Sequence, residues 1–140
     1  TCMTPDLEPV YWSDLKGTPT LISAVVSLDT PVCDKETKRW SREVKERNAD
    51  VSLITVSMDL PFAQERWADE AEMENMELLS DYRDASFGTS QGLLIKELRL
   101  LARAVLLIDS KGKLAYRQIV PEVTDAPDYE DVLRAVGDLK

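Results

Sequence analysis

Apolar positions along this chain follow two rhythms, and the switches between them mark out its elements. Residues 20–26 (TLISAVV) and 51–57 (VSLITVS) are unbroken apolar runs rich in branched side chains, which predicts strands buried on both faces. Between them Cys33, Thr37, Trp40 and Val44 recur at spacings of four, three and four, drawing one apolar stripe along a helix. Asp34/Lys38 and Glu43/Arg47 stand four apart with the acid first, the favourable order on an exposed face. Thr30 is a candidate N-cap, and Pro31 suits the first helical position, where its missing N–H costs nothing.

Further along, Pro61 opens a second helix (PFAQERWADEA), residues 76–79 predict a short strand, and 84–96 reads as poorly patterned loop. Residues 103–109 (RAVLLID) and 114–120 (LAYRQIV), joined by a turn at 110–112, predict a β-hairpin. Pro127 opens a final helix whose buried stripe is Val132, Leu133, Val136 and Leu139. Near the start, residues 9–16 predict a short strand leading into a helical turn, broken by Gly17 and Pro19. The order is β-α-β-α-β, a hairpin and a last helix. It implies a parallel core extended by antiparallel strands, an α/β fold of the thioredoxin-like three-layer kind. No repeat or linker divides the chain, so residues 1–140 are expected to form one domain.

Composition mostly removes options. With 140 residues and 44% hydrophobic content the chain can bury one core. No apolar run approaches the roughly 20 residues that cross a bilayer. No basic segment leads an apolar one as in a signal peptide, so a cytoplasmic location is expected. A net charge of −9, spread along the chain, argues against nucleic acid and anionic membranes as partners. The absence of histidine excludes Ser-His and Cys-His pairs, an imidazole base and a histidine metal ligand. Cys2 and Cys33 lack CxxC spacing and cannot build a four-cysteine zinc site. No glycine-rich loop follows a strand, the carboxylates form no recognisable pair, and Trp12, Trp40 and Trp67 read as core anchors. Chemistry at neutral pH is left to a cysteine activated without histidine, to carboxylates, or to nothing.

Cys33 has the stronger claim of the two thiols. A helix beginning at Thr30/Pro31 puts it in the first turn, where N–H groups lack partners and the macrodipole is positive. Both favour thiolate over thiol. Cys33 also stands where a capping box would carry its acidic group, so an anion suits the place. A plainer reading stays open, in which Cys33 is a small buried hydrophobe on the stripe.

The wider sequence bears on that choice. SLDTPVCDKETKRW, SMDLPFAQERW, LARAVLLID and PDYEDVL occur in order and together span nearly the whole chain. They resemble the corresponding segments of the bacterial thiol peroxidases, an atypical two-cysteine branch of the peroxiredoxins. The resemblance implies a thiol-dependent peroxidase of peroxiredoxin fold that needs no cofactor or metal. Cys33 would be the peroxidatic thiolate, Thr30 the hydroxyl that bonds thiolate and peroxide, and Arg103 the cation that holds the thiolate. Read without the resemblance, Arg103 is an edge-of-sheet surface arginine. The implied partners are a hydroperoxide substrate, an external thiol reductant such as thioredoxin, and a second copy in a homodimer.

The sequence departs from that family in three places. Val26 replaces a proline four residues before the threonine, which keeps apolar cover but restores an N–H. Ala68 follows Arg66 and Trp67 where the branch carries its resolving cysteine, so the family's intramolecular disulfide cannot form. Cys2 is then either a substitute resolving thiol or an unpaired structural one. The family's N-terminal hairpin and APDF-like segment precede the point where this sequence begins, which is expected to uncover an edge or core surface. The leading expectation is a one-cysteine peroxidase; a redox-inactive or engineered scaffold is the alternative, and an oxidation-sensing module is a third reading.

Overall fold

In the computed structural model, which describes residues 2–11, 17–46, 51–72, 75–121 and 125–138, the two apolar runs become adjacent central strands. The first elements are β1 (Cys2–Met3), β2 (Pro9–Val10), β3 (Thr20–Ala24), α1 (Pro31–Glu46), β4 (Ser52–Ser57) and α2 (Pro61–Ala71). There follow β5 (Glu77–Ser80), α3 (Ser86–Gln91), β6 (Leu94–Ile95), β7 (Leu100–Leu101), β8 (Ala104–Ile108), β9 (Leu114–Ile119) and α4 (Tyr129–Gly137). The main sheet runs β2-β1-β5-β4-β3-β8-β9, with β6 and β7 forming a separate pair. β3 runs parallel to β4 and β4 to β5, whereas β8 is antiparallel to β3 and to β9. This is the mixed sheet and terminal hairpin that the sequence predicts.

Alternation along β3 divides the core between two faces. Ile22 and Ala24 join Val56, Leu79, Phe87 and Leu106 on one side, the side that α3 covers. Leu21 joins Trp40, Leu53, Leu107 and Val132 on the other, under α1 and α4. A further cluster of Val25, Leu28, Cys33, Trp67 and Leu78 lies on that second side, just past the end of β3. The first turn of α1 is thus seated where α1 and α2 meet the carboxyl end of a central strand.

The predicted stripe of α1 is buried at Cys33, Thr37, Trp40 and Val44, and the Asp34–Lys38 pair closes at 3.0 Å. Residues 84–96 are a correction: they hold α3 and β6 rather than loop. That helix has no apolar period to announce it. Its N-terminus is held instead by Asp81, whose carboxylate accepts from the N–H groups of Phe87 (3.1 Å) and Gly88 (2.8 Å). Pro127 stands just ahead of the last helix, and Asp128 caps it through the Asp131 N–H at 3.2 Å. Val132 and Leu133 are buried as expected, while Leu139, Arg47, Trp12 and the predicted turn at 12–16 lie outside the described residues.

Candidate active site

A hydrogen-bonded turn delivers Cys33 to its place. Thr30 ends that turn: its carbonyl accepts the Asp34 N–H at 3.0 Å, the first helical bond of α1. Its hydroxyl does not cap the helix but donates to the Ser27 carbonyl at 2.8 Å, so its oxygen acts as an acceptor towards other groups. The N–H groups at the start of α1 therefore keep their donor capacity.

Asp59 braces the same turn from the neighbouring loop. Its carboxylate accepts from Ser27 Oγ (2.7 Å), the Leu28 N–H (2.9 Å) and Ser57 Oγ (2.8 Å). Ser80 Oγ donates to its carbonyl, and Gln64 on α2 donates to Ser57 Oγ and to the Leu79 carbonyl. Asp59 belongs to the DLPFA segment, whose local task is now visible: it ties the Cys33 turn to the ends of β4 and β5. α2 adds a second tie, since Trp67 Nε1 donates to Asp34 Oδ1 at 2.8 Å.

Cys33 itself is fully buried against Val25, Leu28, Trp67 and Leu78. Arg103, immediately before β8, is only 1% exposed, which rules out the surface-arginine reading. Its Nη1 donates to Glu36 Oε1 at 2.6 Å. The other oxygen of Glu36 accepts from Ser23 Oγ at 2.9 Å and Trp40 Nε1 at 3.1 Å, so this buried carboxylate is held by β3, by its own helix and by Arg103. Burial pulls the Arg103 pKa down, but the Glu36 bond and the charges of Cys33 and Glu36 outweigh it, and the pKa is raised. The Cys33 side chain is also a hydrogen-bond partner of this guanidinium. Thiol and guanidinium, distant in sequence, are therefore brought together within one buried network.

Glu36 and Asp59 are residues that the sequence reading misses, because the carboxylates form no recognisable pair along the chain. Glu36 did carry a signal. It lies three residues after Cys33 and four before Trp40, within the buried stripe, and an arginine flanking an apolar strand needs a counter-charge.

The two departures at the site leave its cover in place. Val26 and Ala68 both pack, half-buried, on the Cys33 cluster. Cys2 lies with Ile22 and Leu79 on the opposite side of the sheet from Cys33, and both cysteines are free. Its thiol donates to Asp81 Oδ1 at 3.6 Å, and burial together with the Asp81 charge pushes its pKa up to about 12. Neither feature suits a resolving thiol. Among the described residues no group of three or more metal-ligating side chains gathers.

Comparison with known proteins identifies the family. The Redoxin family model matches residues 1–133. Thiol peroxidase of Bacillus subtilis is 46% identical over 135 residues, which are 96% of this chain and 80% of that protein. Thiol peroxidase of Halalkalibacterium halodurans is 47% identical over 96% of this chain and 81% of its own length. The crystal structure of a peroxiredoxin-like protein from Aquifex aeolicus superposes with a TM-score of 0.88 at 38% identity, covering 99% of this chain and 82% of that one. The chain belongs to the redoxin family and, within it, to the bacterial thiol peroxidases.

Proposed function

We propose that this thiol-dependent peroxidase uses Cys33 as its peroxidatic nucleophile, with Arg103 as the fixed cation and Thr30 as the acceptor of the peroxide O–H. The observation that carries the reading is the shared burial of Cys33, Arg103 and Glu36, with the guanidinium bonded to Glu36 and meeting the Cys33 side chain. The Cys33 thiolate attacks one oxygen of R–O–O–H. An S–O bond forms as the O–O bond breaks, RO⁻ leaves and takes up a proton as ROH, and Cys33 is oxidised to sulfenic acid. Arg103 and the N-terminal N–H groups of α1 stabilise the negative charge as it moves to the leaving oxygen.

The cycle is of the one-cysteine kind. Ala68 offers no thiol and Cys2 lies across the sheet, so an external thiol must reduce Cys33 directly. Rapid quenching after peroxide addition, followed by mass spectrometry, tests both points. Oxidation is expected at Cys33 with no internal disulfide. Equal peroxide turnover by Cys33→Ser would sink the assignment. A redox-inactive scaffold has no feature in its favour, since Val26 and Ala68 preserve the apolar cover of the thiol.

A homodimer is part of the same reading. Leu60 and Phe62, 51% and 63% exposed, stand beside each other at the start of α2. With Ala63 and Arg66 they line one groove, a surface suited to a second copy. Sedimentation should give twice the chain mass, and Phe62→Glu should return the monomer. The two free thiols and the need for a thiol supply suit a reducing, cytoplasmic compartment.

A further inference from the structure

Leu21 and, just past the end of β3, Val25 face the α1 side of the sheet, and Ser23 stands between them as a fully buried hydroxyl. Trp40, fully buried as well, packs on Tyr129 of α4 with the ring centroids 4.8 Å apart. The hydroxyl and the indole N–H donate to the same atom, Glu36 Oε2, at 2.9 Å and 3.1 Å. The other oxygen, Oε1, takes the Arg103 bond at 2.6 Å. Drying a hydroxyl, an indole N–H and a carboxylate together is costly. A core built for packing alone would place apolar groups at all three positions.

We propose that Ser23 and Trp40 are positioning residues for the peroxide reaction: by occupying Glu36 Oε2 they stop the carboxylate from capturing the Arg103 guanidinium with both oxygens. The inference rests on Cys33 acting as the peroxidatic thiol, as proposed above. A carboxylate and a guanidinium left to themselves favour two parallel bonds, fork against fork. Here Oε2 is committed to Ser23 and Trp40, and the guanidinium bonds Oε1 while also meeting the Cys33 side chain. Release of Oε2 would let Glu36 turn its second oxygen onto the fork, and the guanidinium would follow the carboxylate away from the sulfur. Its charge would then serve Glu36 at the expense of the thiolate and the leaving oxygen. The contact with Tyr129 restrains the indole, so its N–H stays on Oε2. Ser23 and Trp40 touch neither the peroxide nor the sulfur in this scheme; they act through Glu36 and Arg103.

Two replacements remove one donor each. Ser23→Ala deletes the hydroxyl, and 3-benzothienylalanine in place of Trp40 keeps the bicyclic shape but has no N–H. Oxidation of Cys33 by hydrogen peroxide, quenched and read by mass spectrometry, should slow roughly tenfold in each, less than the roughly 10²–10³-fold cost of losing a placed donor outright. Placing 5-fluorotryptophan at position 40, which carries the N–H, should recover the rate lost with the benzothiophene. In the Glu36→Gln background no carboxylate competes for the guanidinium, so removing either donor should change the rate less than about twofold. Crystals of the single variants give a readout free of peroxide: both Glu36 oxygens should lie within hydrogen-bond distance of Arg103. Equal losses in the wild-type and Glu36→Gln backgrounds would overturn the proposal, since they would report packing alone. So would undiminished rates in both single variants, or a guanidinium that keeps its wild-type place. If wild-type Cys33 is inert to peroxide while the variants still draw Arg103 onto Glu36, the peroxidatic assignment fails and the control of Arg103 by Ser23 and Trp40 stands.

Discussion

Arg103 Nη1 lies 2.6 Å from Glu36 Oε1, with both side chains sealed from solvent. Removing one partner of a buried pair strands the other charge, at a cost of about 3–5 kcal/mol. Glu36→Gln keeps the volume of the side chain and an oxygen for Ser23 and Trp40, but leaves the guanidinium without its anion. The variant is expected to lose about 3 kcal/mol or more in urea unfolding. Still folded in the absence of urea, it should react more slowly with peroxide because Arg103 is no longer fixed. Unchanged stability would show that the pair does not contribute to the fold.

Arg103→Lys asks whether the site needs a charge or a shaped cation. Lysine keeps the charge but has no planar fork to contact Cys33 and Glu36 together. The rate of Cys33 oxidation should fall roughly 10²–10³-fold, the range seen on losing one placed donor from a reacting oxyanion. A loss below about threefold would mean that the field of the helix end suffices.

Much of this architecture was legible in the chain. β3 and β4 appear as branched runs, and the turns of α1 appear in the recurrence of Cys33, Thr37, Trp40 and Val44. These features are local, and periodicity reports local geometry. What stayed hidden depends on partners remote in sequence. α3 rests on Asp81, Glu36 on Arg103 sixty-seven positions away, and the Cys33 turn on Asp59. Thr30 shows the limit most clearly: the residue type marks a cap, yet the hydroxyl binds the Ser27 carbonyl.

Asp59→Ala should loosen the site without touching the reacting atoms. It strands Ser27 Oγ and the Leu28 N–H, both partly buried, for a loss of about 1–3 kcal/mol. The peroxide reaction should slow as the turn that sets Thr30 and Cys33 becomes less ordered. Amide exchange at Leu28 and Asp29 distinguishes this positioning role from a general loss of stability. Exchange there should quicken more than in β3, and uniform acceleration would refute a local effect.

Cys2 makes the alkaline limb of stability testable. Its thiol is pushed from 9.0 up to about 12 in the folded chain, by burial first and by Asp81 second. Below pH 9 both folded and unfolded chains keep this proton, so its contribution to stability is fully present. Between pH 9 and 12 the unfolded thiol ionises while the folded one does not, and that contribution is lost as pH rises. At pH about 10.5 the loss should reach about 2 kcal/mol relative to neutral pH. The tyrosines at 116 and 129 also have raised pKa values and weaken the fold in the same direction, but they are common to wild type and Cys2→Ala. The difference between those two urea-unfolding profiles therefore isolates the thiol: wild type should fall the more steeply above pH 9. Parallel profiles would mean that Cys2 ionises in the folded chain as readily as in the unfolded one. Its buried bond to Asp81 would then not hold the proton, and Cys2 would again be available as a second reactive thiol.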